Sequence, residues 1–167
     1  MRHSRVSALV SLAALLTAGA GCSVSVAPVV SPDPTVACPG GVLAWRLEIA
    51  DQRADRRDTE KVVTAIRESI AKSLPGCRWV DSDAPSIAIE IHRFSVVRQD
   101  EAWQAYAEWS VLARDRNGRT LTEFQADSDV QRPNYRGVDN EKAAIQQAIG
   151  EAMQRTLAGL RSVPSAG

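Results

Sequence analysis

Residues 103–114 read WQAYAEWSVLAR, and their alternation decides the fold. Trp103, Ala105, Ala107, Trp109, Val111 and Ala113 fall on one side of an extended chain. Gln104, Tyr106, Glu108, Ser110 and Arg114 fall on the other. Strand side chains alternate with a period of two, so this is a long strand with one face in a core and one in water. Asn117-Gly118 behind it is a hairpin signal. Leu121 to Val130 then returns as a polar, edge-like strand whose Thr and Asp residues blunt a free edge. On the other side, Ile87, Ile89 and Ile91 share one strand face, but Phe94 and Val96 are out of phase with them. A one-residue slip would turn the second half away from the core. A β-bulge near His92-Arg93 restores it.

Further out, Val42 to Ala50 alternates with Leu43, Trp45, Leu47 and Ile49 on one face, which predicts a half-buried strand. Asp51 to Arg57 is a charged loop. Asp58 is placed to cap a helix, with Glu60 in its first turn. The apolar stripe Val62, Ile66, Ile70 and Leu74, with Val63 beside it, ends at Pro75-Gly76. Cys77 to Val80 is a short strand. Asp139 or Asn140 caps a last helix whose stripe is Ile145, Ile149, Met153, Leu157 and Leu160, and Pro164 follows its end. The expected fold is therefore α+β. It is a two-layer sandwich of a mostly antiparallel sheet of about five strands, with two amphipathic helices on one face. The first strand–helix–strand unit should be a right-handed, parallel crossover. No internal repeat is present.

The amino terminus reads as an export signal: Arg2 and Arg5, an apolar stretch from Val6 to Ala20, then small residues before Cys22. The stretch is shorter than the roughly 20 apolar residues that a spanning helix needs. Residues 1–21 are read as signal and 22–41 as a Pro-containing tether. A single periplasmic domain follows over 42–162, and 163–167 is a loose tail. The tether carries Pro28, Pro32 and Pro34 without steady periodicity. Cys38 and Cys77 precede the first and second strands. If those strands are parallel, the two sulfurs share one end of the sheet, and in an exported protein they read either as a disulfide or as two buried thiols.

Removing the signal leaves the chain with 18 basic and 20 acidic residues, a net charge of −2. That balance gives no footprint for nucleic acid, and no run of basic residues offers itself to anionic headgroups. Trp45, Trp79, Trp103 and Trp109 lie in strand-like segments. They read as core packing, with an apolar groove for a lipid tail or a partner strand as the alternative. His92 is the sole histidine past the signal, no Cys/His spacing suits zinc, and no Ser-His-Asp set emerges. Pro39-Gly40-Gly41 precedes a strand and so cannot cradle a phosphate at a helix. Glu90 and Glu108 face each other on neighbouring strands, but an open sheet face does not desolvate a carboxyl as acid–base catalysis requires. Glu123, Asp127 and Asp129 read the same way, and Asp127-Ser128-Asp129 lacks the rest of a calcium loop. The expectation is a protein that is not an enzyme and holds no metal or cofactor. Trp103 and Tyr106 are its candidate partner or lipid contacts.

Ala20-Gly21-Cys22 resembles the bacterial prolipoprotein lipobox, which implies cleavage before Cys22 and its acylation, including palmitate. The competing reading is an ordinary secretory signal cut near Ala18 or Ala20. Several acyl chains at Cys22 would anchor the protein durably, at about 0.8 kcal/mol per buried CH₂. Ser23, a non-Asp residue, favours the outer over the inner membrane by resemblance to enteric lipoproteins. The rest of the layout is similar to the auxiliary lipoproteins of ABC-type, MCE-linked lipid transporters of the paraquat-inducible kind. The matching stretches are Ser73-Leu74-Pro75-Gly76, Ile87-Ala88-Ile89-Glu90-Ile91-His92-Arg93-Phe94, Ala107-Glu108-Trp109-Ser110-Val111-Leu112, Asn117-Gly118 and Ala143 to Leu160. That family carries an extra early strand, where this chain has only Val42 to Ala50. The resemblance implies a periplasm-facing accessory subunit whose partners are the membrane, envelope transport-complex proteins and lipid. A weaker resemblance is to the lipoprotein plug of the lipopolysaccharide-assembly translocon. That family often has a Phe-x-Asn-x-Thr-like stretch where this chain has Ala50 to Asp55.

Overall fold

A computed structural model describes residues 37–56, 58–81, 83–134 and 138–164. Cys22, the signal and most of the tether lie outside the described residues. After a short 3-10 turn at Pro39–Gly41 come β1 (Ala44–Asp51), α1 (Thr59–Ser73), β2 (Arg78–Trp79), β3 (Ser86–Gln99), β4 (Ala102–Arg114), β5 (Thr120–Pro133) and α2 (Val138–Arg161). The sheet order is β2-β1-β3-β4-β5. Strand β1 runs parallel to both β2 and β3, while β3, β4 and β5 form an antiparallel meander. The expected α+β fold, five strands with two helices, is what the chain adopts.

One apolar face of the sheet holds the core. Trp45, Ile87, Ile89, Ile91, Trp109 and Val111 are fully buried, and they pack with Ile66, Ile70 and Leu74 of the first helical segment and Ile145, Ile149, Met153 and Leu160 of α2. The β3 register shifts between Ile91 and Arg93. Phe94 and Val96 thereby return to the core side and pack against the same cluster. The polar tips of the tryptophans are mostly engaged. Trp45 Nε1 donates to Val42 O at 3.0 Å and Trp109 Nε1 donates to Thr156 Oγ1 at 2.8 Å. The core reading holds for Trp45 and Trp109, while Trp79 and Trp103 are only partly buried against the core. At the β4–β5 turn, Gly118 has φ +80°, a left-handed value that a side chain would strain.

Four local expectations are corrected. Leu43 is 73% exposed, because β1 starts only at Ala44 and Leu43 lies beyond the core. Asp58 makes no side-chain cap: its backbone is left-handed at φ 62°, and its carboxylate faces Lys61 at 3.4 Å instead. Helix α2 begins at Val138, ahead of Asn140, whose side-chain amide donates to Pro133 O. The domain also extends past its expected limits of 42 and 162. Cys38 and Pro39 are buried, and Val163 is only 5% exposed. Gly40 explains the closure of this end, since a Cβ there would come within 2.8 Å of Pro164 O. Residues 165–167 lie outside the described residues.

Candidate functional site

Both helices pack on one face of the sheet and leave the other open, and β3, β4 and β5 position the side chains of that open face. The bulge at Ile91/Arg93 turns both His92 and Arg93 to solvent. Register then pairs Arg93 with Glu108 and Ser95 with Tyr106. The Arg93 guanidinium lies 3.5 Å above the centre of the Tyr106 ring, a cation–π stack on exposed sheet. Across the next rung, Glu108 stands directly opposite Asp127, a like-charge pair that costs stability unless it is compensated. Arg155 compensates Asp127 at 2.8 Å, and Arg93 is the register partner of Glu108 on its other side. Gln104 Nε2 donates to Asp129 at 3.1 Å. Arg93, Tyr106, Glu108, Asp127, Ser128 and Asp129 line a shallow hollow of about 150 Å³.

This face also brings His92 Nε2 within 3.0 Å of Ser110 Oγ. A serine activated as a nucleophile needs that contact, a third group orienting the imidazole, and free donors for the oxyanion. Among the described residues no side chain bonds the other ring nitrogen. Strand β4 is paired on both sides, so its backbone amides serve the sheet. The contact is an exposed cross-strand hydrogen bond without the rest of that apparatus. Glu90 lies opposite Ser110, two register positions from the Glu108–Arg93 pair, and is exposed. Among the described residues no group of three or more His, Cys, Asp or Glu could hold a metal ion.

Trp103 and Tyr106 are not brought together. Odd and even positions of β4 face opposite ways. Trp103 is partly buried against the core, where its Nε1 donates to Asn134 Oδ1 at 2.9 Å. Tyr106 sits on the open face under Arg93. A contact through both residues at once would have to approach from both sides of the sheet.

The open face and the core side are joined around the β5 edge. Buried Ser128 donates to Glu151 Oε2 at 2.8 Å, and Gln147 donates to the other Glu151 oxygen at 2.8 Å. The Gln147 and Ser128 hydrogen bonds, with Arg155 and Arg132 nearby, hold the Glu151 carboxyl below its usual range. Strand β5 is a long edge strand, and β2 is a two-residue one.

A second feature was hidden in the charged loop. Asp51 accepts from Arg53 Nε at 2.9 Å and from Arg53 Nη2 at 2.7 Å, a bidentate pair. Its side chains are 2% and 8% exposed. Thr59 Oγ1 donates to Asp51 at 2.6 Å and Arg53 Nη1 donates to Phe94 O at 3.3 Å. The Arg53 hydrogen bonds, outweighing burial, hold the Asp51 carboxyl well below the usual carboxylate range. The pair fixes the β1–α1 connection to β3, a structural role.

The chain meets the domain at the opposite end of β1. There Cys38 and Cys77 form a disulfide, with Cα atoms 5.3 Å apart, tying the segment before β1 to the start of β2. The acylation expected at Cys22 falls outside the described residues. Among the described residues no helix is long and apolar enough to cross a membrane.

No family model matches the chain, and no curated protein matches it. Solved structures do. Protein XCC0632 from Xanthomonas campestris, of family DUF330, is 17% identical over 77% of this chain and 87% of its own, with a TM-score of 0.49. A minor lipoprotein from Acinetobacter baumannii is 11% identical over 75% and 96%, with a TM-score of 0.45. Lipoprotein GNA1162 from Neisseria meningitidis is 9% identical over 70% and 99%, with a TM-score of 0.46.

Proposed function

We propose that this chain is an envelope lipoprotein, anchored through acylated Cys22, that serves as a non-catalytic accessory subunit of a lipid-transport complex of the ABC, MCE-linked type. The observation that carries the anchor is Arg2 and Arg5, the apolar run to Ala20, and Cys22 directly behind Ala20-Gly21. The transport role rests on the resemblance of the layout from about Val62 to Leu160 to that family's auxiliary lipoproteins. The non-catalytic role is supported by the open face, where charged groups are exposed and partnered across strands rather than desolvated. Binding is by protein–protein contact, with the long β5 edge available for strand addition. The domain faces the periplasm, and Ser23 favours the outer membrane.

The test is a pull-down in mild detergent through a carboxy-terminal tag, with partners identified by mass and a Cys22→Ser chain run beside it. The expected result is co-purification with a periplasmic lipid-carrying ring or tube and its transporter. A β-barrel partner instead would favour the lipopolysaccharide-translocon type of assembly lipoprotein. Turnover of a substrate by the protein alone, lost on Glu90→Gln or Glu108→Gln, would overturn the non-catalytic reading.

A further inference from the structure

The arginines of this chain form no basic run, yet the fold collects several at one end of the sheet. Register places Arg78 beside Ala44 on the outermost rung of β1, and Arg114 beside Ser86 on the first rung of β3. The β4–β5 turn at the same end adds Arg116 and Arg119, closed by Asp115 N to Arg119 O and Gly118 N to Asp115 O. All four arginines are exposed. None of the four guanidiniums has a hydrogen bond or ion pair among the described residues, whereas that of Arg46, on the same rung as Ser86 and Arg114, is held by Glu48 at 2.6 Å. Arg161 closes α2 at this end. The acidic residues here are Asp81, Asp83 and Asp115, and Asp115 Oδ1 accepts the backbone N–H of Asn117 and Arg119. Setting aside the Arg46–Glu48 pair, five arginines against three aspartates make this end basic in a chain that is otherwise net acidic.

Two further observations concern the same end. Leu43, 73% exposed, is the most exposed large apolar residue of the described chain. Its carbonyl accepts Arg78 N at 2.7 Å, which places this apolar residue beside Arg78 at the same end of the sheet. The chain towards Cys22 also leaves from here, at a point pinned by the Cys38–Cys77 disulfide. Residues 23–37 reach at most about 50 Å when fully extended.

We propose that this end of the sheet is a membrane-docking face, in which Arg78, Arg114, Arg116 and Arg119 engage the phosphates of an anionic bilayer and Leu43 enters the interface. The occupant follows from charge complementarity and from where the chain leaves the domain: a lipid at Cys22 holds this end, rather than the β3–β4 turn, towards the bilayer. Docking would fix the domain's orientation and present the open face and the β5 edge sideways to partners. The proposal deepens the anchored reading and rests on it for the direction of approach, but the electrostatic contact needs no acyl chain.

The test therefore uses the unacylated full-length mature chain carrying Cys22→Ser. Its co-sedimentation is measured with vesicles of phosphatidylcholine alone or of phosphatidylcholine with phosphatidylglycerol. Binding is expected only with phosphatidylglycerol, and it should vanish near 1 M salt, where charges are screened beyond about 3 Å. Arg116→Glu with Arg119→Glu should lower the partition coefficient by about tenfold or more. Arg98→Glu, on exposed β3 near the opposite end, should leave it unchanged, with thermal unfolding confirming that each variant is folded. Equal binding to both vesicles, no binding to either, an unmoved double variant, or an equal loss in Arg98→Glu would each overturn the proposal. Arginine-dependent binding of a protein that proves acyl-free in the cell would leave this face standing while the anchor falls.

Discussion

Replacing Arg53 by alanine removes one half of a buried ion pair and leaves the other half in place. Among the described residues, the Asp51 carboxylate, 2% exposed, would keep only the Thr59 hydroxyl and the residue 53 backbone N–H as donors. Breaking a buried pair in this way costs about 3–5 kcal/mol, because a desolvated charge is left uncompensated. That is a large share of the 5–15 kcal/mol that typically separates folded from unfolded. With a urea m-value near 2 kcal/mol/M, the midpoint should fall by about 2 M. The assay is urea unfolding followed by tryptophan fluorescence, to which buried Trp45 and Trp109 respond. The pH dependence gives a second readout. The folded Asp51 pKa lies below its unfolded value, so the pair contributes stability above about pH 4 and loses it as pH falls towards the folded value. The Arg53→Ala chain should lose less stability on acidification, because its Asp51 no longer has a strongly lowered pKa to lose. Asp51→Leu with Arg53→Met, which replaces both partners by apolar groups, should recover most of the cost. A loss under about 1 kcal/mol for Arg53→Ala, with an acid profile parallel to the parent, would show that the pair does not hold the β1–α1 connection.

Other outcomes follow from the contacts that hold the domain together. Cys38→Ala with Cys77→Ala opens a bridge across a sequence separation of 39 and should cost about 4 kcal/mol by loop entropy, read as a lower urea midpoint in non-reducing buffer. Gly159→Ala should destabilise by about 1–3 kcal/mol despite the better helix former, because its Cβ would run into the Phe124 ring; Phe124→Leu in the same chain should relieve that loss. Thr156→Val leaves the Trp109 indole N–H without its buried acceptor and should cost about 1–3 kcal/mol in thermal unfolding, with a shift in tryptophan emission.

The legible parts of this fold are those set by periodicity. The odd-position apolar run from Trp103 to Ala113 gave β4 its faces, and the phase slip between Ile91 and Phe94 located the bulge. Asn117-Gly118 marked the hairpin. What escaped depends on tertiary neighbours. The stretch Asp51 to Arg57 looks like a solvated loop, because nothing local says that Phe94 O and Thr59 will complete the shell around a buried Asp51–Arg53 pair. Asp58 has the right residue type for a cap, yet its left-handed backbone turns it away. Leu43 fits the β1 pattern but lies past the last core layer. The Cys38–Cys77 bridge was one of two readings the sequence offered, but Cys38 to Gly41 still read as tether, because the approach of Gly40 to Pro164 that draws it into the domain is long-range. The Arg93–Tyr106 stack and the His92–Ser110 contact likewise exist only through cross-strand register, which one strand's sequence does not specify.

Membrane anchoring of this protein turns on the chemistry at Cys22. Intact-mass and amino-terminal peptide analysis of the protein purified from its native membranes tests this directly. The predicted result is a chain beginning at Cys22 and carrying acyl chains, absent in Cys22→Ser. A mature protein that begins near Gly19 or Gly21 and carries an unmodified Cys22 would contradict it.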